Sequence, residues 1–427
     1  MTRAPATGRQ GASPLGLFGW CLYDWANSAF PTVITTFVFA AYFTKGIAAD
    51  VITGTSQWGL AISASGLAVA VLSPLLGAVA DNGGRRKPWI GALTLICVVA
   101  SSLLWLARPD PGFVILALTL AALANFAFEM GMVFYNAMLP DLVPRERIGR
   151  LSGWGWGLGY AGGLVCLGLT LVALVQAETP VFGLDKDAAE HLRATGPLVA
   201  VWMAVFALPL FMWTPDTPSR GLTFADAVKE GWATLLGTLR RVRDYAHIVR
   251  FLVAHLMYAE GLNTLFAFGG IYAAGTFGMD FSELILFGIA MNVTAGLGAA
   301  AFAWVDDWIG PKRTIMIAVA ALAVLGLVLV LVEGKTLFWA FALPLGVFVG
   351  PAQSASRSLM ARMAPAALRT EMFGLFALSG KATAFVGPAV LAWVTALAGS
   401  QRAGMATILA FFVVGLAVLW RVPDVRR

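Results

Sequence analysis

Twelve long apolar runs dominate this sequence and limit what the chain can fold into. Each run is long enough for a membrane helix, which needs about 20 residues to cross the hydrocarbon core of a bilayer. The chain has 427 residues, of which 59% are hydrophobic and 12% are charged. Because a soluble fold has no use for so much apolar surface, the sequence predicts an all-α, multi-pass membrane protein.

Short polar segments separate the runs and set the predicted span boundaries to within a few residues. The predicted spans cover residues 15–43, 56–80, 88–107, 112–138, 153–176, 196–214, 247–274, 281–305, 313–332, 336–360, 373–398 and 404–421. An even number of spans puts both termini on the same side of the membrane. The polar start precedes a full spanning helix rather than a short signal-peptide core, so no cleavage is expected.

The distribution of positive charge predicts the orientation. With the N-terminus inside, the cytoplasmic segments and span ends hold 22 of the 29 lysines and arginines. The others are Lys45, Arg108, Lys186, Arg193, Lys335 and Arg402 outside, and Lys381 within a span. Since cytoplasmic loops are enriched in Lys and Arg, both termini are predicted to be cytoplasmic, in a protein of the cell membrane. The net charge of +6 therefore does not indicate nucleic-acid binding.

The longest polar segment, residues 215–246, divides the spans into two sets of six. It contains Arg240, Arg241 and Arg243, and its apolar residues recur at helical spacing. This pattern predicts an amphipathic helix on the inner leaflet with its arginines toward anionic lipid; a plain tether is the alternative. The predicted domains are an N-terminal six-helix bundle (1–214), a cytoplasmic linker (215–246) and a C-terminal six-helix bundle (247–427).

The two halves of the sequence repeat each other in three places. The segment Asp81–Lys87, DNGGRRK, matches Asp307–Arg313, DWIGPKR, at an offset of 226 residues. The other matches are Pro144, Gly153 and Gly159 with Pro365, Gly374 and Gly380 (offset 221), and Asp24, Asn27, Ser28 and Phe30 with Glu260, Asn263, Thr264 and Phe266 (offset 236). Repeated six-helix halves with a site between them are typical of secondary transporters.

Polar residues inside the apolar runs mark the candidate site. Asp24, Asn27 and Ser28 share one face of the first span, and Asn125 and Glu129 share one face of the fourth. A carboxylate in a membrane helix is costly unless it faces protein or water, so these side chains are predicted to line an internal cavity. The alternative for Asp24 is a place near the membrane surface, where it would cap or orient its helix.

The loop DNGGRRKP after the second span resembles the hallmark loop of the major facilitator superfamily. Its two glycines permit a tight turn, and its basic residues can hold carboxylates and helix C-termini. The resemblance implies an inner-gate charge network with Asp141 as a partner; plain positive-inside charge is the alternative. The predicted inner-gate residues are Asp81, Gly84, Arg85, Arg86, Lys87, Asp141, Asp307 and Arg357.

Four further motifs are similar to one branch of that superfamily. They are YDWANSAF, SGWGWGLGYAGG, GPAQSASRS and LSGKATAFVGP. The branch is the vacuolar amino-acid effluxer-like one, whose bacterial members are transporters of unknown substrate. The resemblance implies two pseudo-symmetric six-helix bundles, a central cavity lined by spans 1, 4, 7 and 10, and amino acids as substrates.

Charges of both signs in these spans favour a zwitterionic substrate. The predicted substrate and proton cavity comprises Asp24, Asn27, Ser28, Asn125, Glu129, Glu260, Asn263, Gln353 and Lys381. Carboxylates pair with an ammonium group, and Lys or Arg pairs with a carboxylate. A desolvated carboxylate can also load and release a proton, so Glu129 or Glu260 is expected to couple transport to protons. A structural ion pair between Glu129 and Lys381 that locks the halves together is the alternative.

The sequence contains no motif of catalysis. It lacks a phosphate-cradling loop followed by Lys-Ser/Thr, and His191, His247 and His255 form no metal-ligand cluster. We therefore expect a monomeric transporter without cofactor or metal, whose partners are a small-molecule substrate, protons and membrane lipids. An exporter of lipid-like or drug-like amphiphiles, and a non-transporting receptor on a transporter scaffold, are the alternatives.

Overall fold

The computed structural model describes residues 11–240 and 242–424, and helices make up most of this part of the chain. Within it, twelve helices are long and apolar enough to cross a membrane, as the sequence predicts. Spans 1 to 12 are Pro14–Ile47, Val51–Gly83, Lys87–Leu106, Pro111–Leu142, Arg145–Val175, Glu190–Trp213, Arg243–Phe277, Glu283–Ile309, Pro311–Leu331, Lys335–Met363, Arg369–Ala398 and Gln401–Trp420.

Two long helix contacts join the first six spans to the last six. Span 2 packs along span 11, and span 5 packs along span 8. Glycines allow the second contact to be close: a Cβ built on Gly153 would lie 2.6 Å from the carbonyl oxygen of Ala299. Small residues at such crossings let membrane helices approach backbone to backbone.

The ends of the spans follow from local chemistry. Asp50 caps span 2, because its carboxylate accepts the N–H groups of Ile52 and Thr53 at 3.0 Å. The Thr53 hydroxyl also donates to this carboxylate, and these hydrogen bonds lower the pKa of Asp50, which lies between spans 1 and 2. Span 2 ends just before Gly84, whose φ of +90° is a conformation that suits glycine.

Spans 1 and 11 depart from a continuous α-helix in their interior. Span 1 passes through a π-helical stretch, Phe30–Phe37, that begins beside Pro31. Span 11 consists of a first half-helix, Arg369–Lys381, and a second half-helix, Val386–Ala398, with four turn residues between them. The sequence predicts span 11 as unbroken, because a short turn within an apolar run leaves its hydropathy unchanged.

A helix in the segment between spans 6 and 7, Phe224–Arg240, is called the linker helix below. It packs on span 2, with Gly231 against the backbone of Val79. Arg241, which the sequence analysis expects to face lipid, lies outside the described residues.

Both ends of the described chain lie on the same side of the bundle. The backbone N–H of Ala12 donates to the carbonyl of Leu142 at the end of span 4, and Asp424 pairs with Arg313 at the start of span 9. The loops after spans 2 and 8 lie there too. We call this side the basic end.

Candidate functional site

At the basic end, Asp81 of span 2 caps the first half-helix of span 11. Its buried carboxylate accepts the Thr370 hydroxyl at 2.7 Å and the backbone N–H of Glu371 at 3.0 Å. A helix N-terminus has unpaired N–H groups and a partial positive charge, which a carboxylate satisfies. Spans 2 and 11 come from different halves, so this cap holds the halves together.

Asp307, which matches Asp81 in the sequence repeat, makes the same contact on the other side of the bundle. Its carboxylate accepts the backbone N–H groups of Gly149 at 2.9 Å and Arg150 at 3.2 Å, at the start of span 5. The two halves are therefore tied symmetrically by two carboxylates, each on a helix of the other half.

Arginines complete these two ties. Arg86 donates to Asp141 at 2.8 Å, and Asp141 also pairs with Arg369 of the other half. On the opposite side, Arg362 lies 3.2 Å from Asp307. The sequence does not single out Arg362 and Arg369, since arginines near span ends are expected from the positive-inside rule alone.

The other predicted inner-gate residues of the loop after span 2 lie around this network. Gly84 sits where the carbonyl oxygen of Pro218 approaches too closely for any side chain. The Lys87 ammonium donates to the carbonyl of Phe211 at 3.0 Å, within its own half, and Arg85 is exposed.

Arg357 lies apart from this network, in a buried cluster that we call the Arg357 cluster. Its side chain is 1% exposed and extends from span 10 into the N-terminal half. Its guanidinium lies 3.1 Å from the Asp24 carboxylate and 3.2 Å from the Asn136 side-chain oxygen. It also donates to the hydroxyl of Ser152 at 2.9 Å and to its carbonyl at 2.6 Å.

Aromatic rings surround this guanidinium. Its carbon lies 5.0 Å from the ring centre of Trp20 and 5.6 Å from that of Trp156, at cation–π distance. The Tyr135 hydroxyl donates to Asp24 at 2.9 Å. The sequence predicts Asp24 for the cavity and Arg357 for the inner gate, whereas the structure pairs the two. It also places Trp20, Tyr135 and Ser152 in the Arg357 cluster. The sequence does not predict this, because such residues are common in membrane helices.

Glu129 of span 4 and Lys381 of span 11 form an ion pair between the halves. The carboxylate and ammonium are 2.7 Å apart, and the side chains are 22% and 37% exposed. The exposed Asn263 amide lies 3.4 Å from the carbonyl of Gly380, the residue before Lys381. Three residues predicted for the cavity thus lie around one partly open ion pair.

Glu260 of span 7 caps the second half-helix of span 11. It is 2% exposed, and its carboxylate accepts the backbone N–H of Gly387 at 3.0 Å. The buried Thr264 hydroxyl lies where a side chain on Gly387 would have to go. In the described part of the chain, these partners of Glu260 include no basic side chain.

The remaining amides predicted for the cavity each contact a neighbouring span. The Asn27 amide points to the sulfur of Met132 at 3.1 Å, and that of Asn125 donates to Ser65 at 2.6 Å. Gln353 accepts the Tyr160 hydroxyl at 2.7 Å, between spans 10 and 5.

The structure contains a large, mainly apolar cavity with a volume of about 510 Å³. It lies toward the end opposite the basic end, between spans of both halves. Its aromatic lining is formed by Phe37, Trp156, Tyr160, Phe266, Tyr272, Phe287, Phe338 and Phe412. Of the nine residues predicted for the cavity, Ser28 lines it; the others named above do not. Sequence reasoning missed its aromatic lining, since lipid-facing positions are equally apolar.

Within the described ranges, no group of three or more His, Cys, Asp or Glu side chains is placed to hold a metal ion. Cys21, Cys97 and Cys166 are buried and free.

Comparison with known proteins gives one family and one fold. Residues 46–427 match the family described as "Vacuole effluxer Atg22 like". The chain is 26% identical over 414 residues to the uncharacterized MFS-type transporter YxiO of Bacillus subtilis (strain 168), covering 95% of this chain and 94% of that protein.

Autophagy-related protein 22 of Cryptococcus neoformans var. neoformans serotype D (strain JEC21) is 27% identical over 293 residues, or 64% of this chain. The match spans half the length of that relative. Among solved structures, the proton:xylose symporter XylE superposes with a TM-score of 0.74 at 14% identity, covering 96% of each chain. This likeness confirms the predicted fold of two six-helix bundles.

Proposed function

Because the chain belongs to the vacuole effluxer Atg22-like family of the major facilitator superfamily, we propose that it transports an amino acid or a similar zwitterion by alternating access, coupled to protons. In this proposal the basic end and both termini are cytoplasmic, in the cell membrane, because that end carries most of the Lys and Arg. The transporter acts as a monomer, with no catalytic activity and no cofactor.

The ion pair between Glu129 and Lys381 carries this proposal. The two charges are 2.7 Å apart, come from opposite halves and remain partly exposed. A zwitterion can replace this pair, because its ammonium group can bind Glu129 while its carboxylate binds Lys381. Substrate binding then exchanges one set of ionic contacts for another and leaves no charge unpaired, and Asn263 lies close enough to add a hydrogen bond.

The ties at the basic end support a cycle of alternating access. Asp81 and Asp307 each cap a helix of the other half, and the apolar cavity lies toward the opposite end. In our proposal this arrangement is closed toward the cytoplasm, and opening the cytoplasmic side breaks both caps. The Arg357 cluster lies deeper in the same interface between the two halves, so its contacts must also break when the caps do.

Glu260 is the better of the two candidate proton sites. Glu129 is neutralised by Lys381, whereas the buried carboxylate of Glu260 accepts a backbone N–H. An uncompensated carboxylate in the membrane is costly, and a bound proton neutralises it. Glu260 caps the second half-helix of span 11, and Lys381 ends the first. Protonation of Glu260 can therefore change the position of Lys381, and with it the Glu129–Lys381 ion pair, through the turn between the two half-helices.

The test is uptake of a labelled amino-acid panel into proteoliposomes, with and without an imposed pH gradient. We expect saturable uptake of at least one amino acid, accelerated by the gradient. Uptake that ignores the gradient overturns proton coupling and leaves the substrate assignment intact. No uptake of any amino acid by folded protein overturns the assignment.

The apolar cavity favours a second candidate function, the export of a lipid-like or drug-like amphiphile. A volume of about 510 Å³ with an aromatic lining suits an apolar ligand of drug size. Binding of fluorescent amphiphiles that amino acids do not displace, together with their efflux from loaded liposomes, supports this function. Folded protein that moves neither class of solute favours the non-transporting receptor.

A further inference from the structure

The linker helix Phe224–Arg240 spans the seam between the two halves at the basic end. The segment just before it is held to the end of span 2, because the backbone N–H of Arg220 donates to the carbonyl of Gly83 at 3.1 Å. Farther along, Thr234 accepts the Asn82 amide at 3.2 Å. These contacts fix the helix to the N-terminal half.

The end of the same helix reaches the C-terminal half. The buried Thr238 lies next to Glu371, which is fully buried in the first turn of span 11, while the Thr238 hydroxyl donates to the carbonyl of Thr234 at 3.2 Å. The neighbouring backbone N–H of Glu371 is the group that Asp81 caps. The linker helix therefore covers the point where spans 2 and 11 meet, and any separation of these spans must break its contact with one half.

The opposite face of the linker helix exposes apolar side chains, and none of the described residues covers them. Val228, Trp232 and Leu236 recur every four residues and are exposed, with Trp232 53% accessible. The stripe continues into exposed Arg240, and exposed Arg243 follows at the start of span 7.

A lipid surface fits this face better than a soluble protein does. The helix packs on span 2, a membrane-spanning helix that exposes the apolar side chains of Leu67 and Val71. A tryptophan in an apolar stripe flanked by arginines is the composition of a helix that lies in the membrane interface and attracts anionic lipid. The acidic Glu230 is about 200° around the helix from Trp232, so it points away from the stripe.

We propose that the linker helix is a membrane-surface latch: its Val228–Trp232–Leu236 stripe and Arg240 and Arg243 bind anionic lipid, and this binding keeps the helix across the seam and the basic end closed. Lipid fixes the helix in the plane in which it touches both halves. Closing then costs less conformational entropy, because the helix is already ordered. This inference does not depend on which solute the protein carries.

The first test places a fluorescent label on the helix of the full-length protein in nanodiscs. Single cysteines replace Val228 on the stripe and Glu230 on the other face, and the unsubstituted protein controls for its three buried cysteines. We expect brominated lipids to quench the label at 228 at least about twofold more than at 230. Equal quenching, or protection of both sites, overturns lipid contact and points to water or a protein partner.

The second test measures the basic end itself. Spin labels at Glu146 and Ala366, both exposed and in different halves, report its opening by distance measurement. We expect the ratio of closed to open populations to rise roughly fivefold when anionic lipid is added to zwitterionic nanodiscs. Arg240→Gln/Arg243→Gln is expected to abolish this response, and the control Arg147→Gln/Arg421→Gln, with the same charge change at exposed sites away from the helix, is expected to keep it.

A distance distribution that ignores anionic lipid overturns the latch, even where the first test succeeds. A response that survives Arg240→Gln/Arg243→Gln overturns the assignment to these arginines. Monodisperse elution of each variant from size exclusion, checked beforehand, separates either result from misfolding.

Discussion

Asp24 and Arg357 are 333 residues apart in sequence, and their charged groups lie 3.1 Å apart in the buried seam between spans 1 and 10. Both side chains are nearly inaccessible to solvent, so water competes little with either charged group for its partner. Each charge is held by further hydrogen bonds, from Tyr135 to the carboxylate and from the guanidinium to Ser152. The pair therefore behaves as one unit that joins the two halves.

Removing either member of this pair is expected to destabilise the protein strongly. Arg357→Gln leaves Asp24 buried without its cation, and such a change typically costs about 3–5 kcal/mol. The double variant Asp24→Asn/Arg357→Gln is expected to cost less than the sum of the single variants, because no charge is stranded. Thermal unfolding of all four proteins in detergent measures this cycle; additive losses contradict coupling.

Exchanging the charges of Glu129 and Lys381 separates the binding role from the locking role. A lock is restored by Glu129→Lys/Lys381→Glu, because the ion pair reforms with its charges reversed. Binding of a zwitterion is not restored, since each end of the substrate now meets its own sign of charge. We expect the double variant to fold stably and to transport at least tenfold more slowly than the unchanged protein. Recovery of normal amino-acid uptake in liposomes would support a purely structural pair.

Neutralising Glu260 is expected to remove the response to a pH gradient. Glu260→Gln keeps the shape of the side chain and a hydrogen-bond acceptor for the Gly387 N–H, but it cannot exchange a proton. We expect exchange of substrate across the membrane to continue while gradient-driven accumulation is lost. The parallel variant Glu129→Gln is expected to weaken substrate binding and to keep the pH dependence. If Glu129→Gln abolishes the pH response instead, the proton site is Glu129.

A methyl group at Gly153 is expected to loosen the contact between spans 5 and 8. A Cβ there would lie 2.5 Å from that of Ala303, and overpacking of this kind typically costs about 1–3 kcal/mol. Gly168→Ala in the same span is the matched control, because nothing lies within 4 Å of its added Cβ. The measurement is maleimide labelling of Ser73→Cys, buried between spans 2 and 11. Faster labelling with Gly153→Ala but not with Gly168→Ala is expected, and equal rates would count against the close crossing.

The two capping carboxylates are expected to contribute equally to closure of the basic end. Asp81→Asn and Asp307→Asn each weaken a charge-assisted cap on a helix of the other half, which is worth about 1–2 kcal/mol. Both should raise the open population seen by the spin labels at 146 and 366. Asp187→Asn, in an exposed loop at the other end, serves as the control. A change with only one of the two variants would contradict their symmetric roles.

Much of the architecture follows from the sequence alone. The number of spans follows from the thickness of a bilayer. A run of about 20 apolar residues is long enough to cross it, and the helix is the conformation that satisfies the backbone hydrogen bonds of such a run in lipid. The repeat that relates Asp81 to Asp307 anticipates their matched caps, since equivalent positions in two similar halves face each other across a pseudo-two-fold axis. Glu129 in span 4 and Lys381 in span 11 carry opposite charges within apolar runs, and the sequence therefore predicts both residues for one site.

The tertiary structure decided which buried charges meet. Asp24 and Glu260 are equivalent in the sequence repeat, yet Asp24 binds Arg357 from the other half and Glu260 caps a half-helix within its own. The break in span 11 is invisible in hydropathy, because a short turn within an apolar run leaves its hydropathy unchanged. The backbone N–H of Gly387, freed at this break, is satisfied by a carboxylate from span 7. Apolar residues do not reveal whether they face lipid, a neighbouring helix or a cavity. Those outcomes depend on packing between spans that are distant in sequence, which no local pattern encodes.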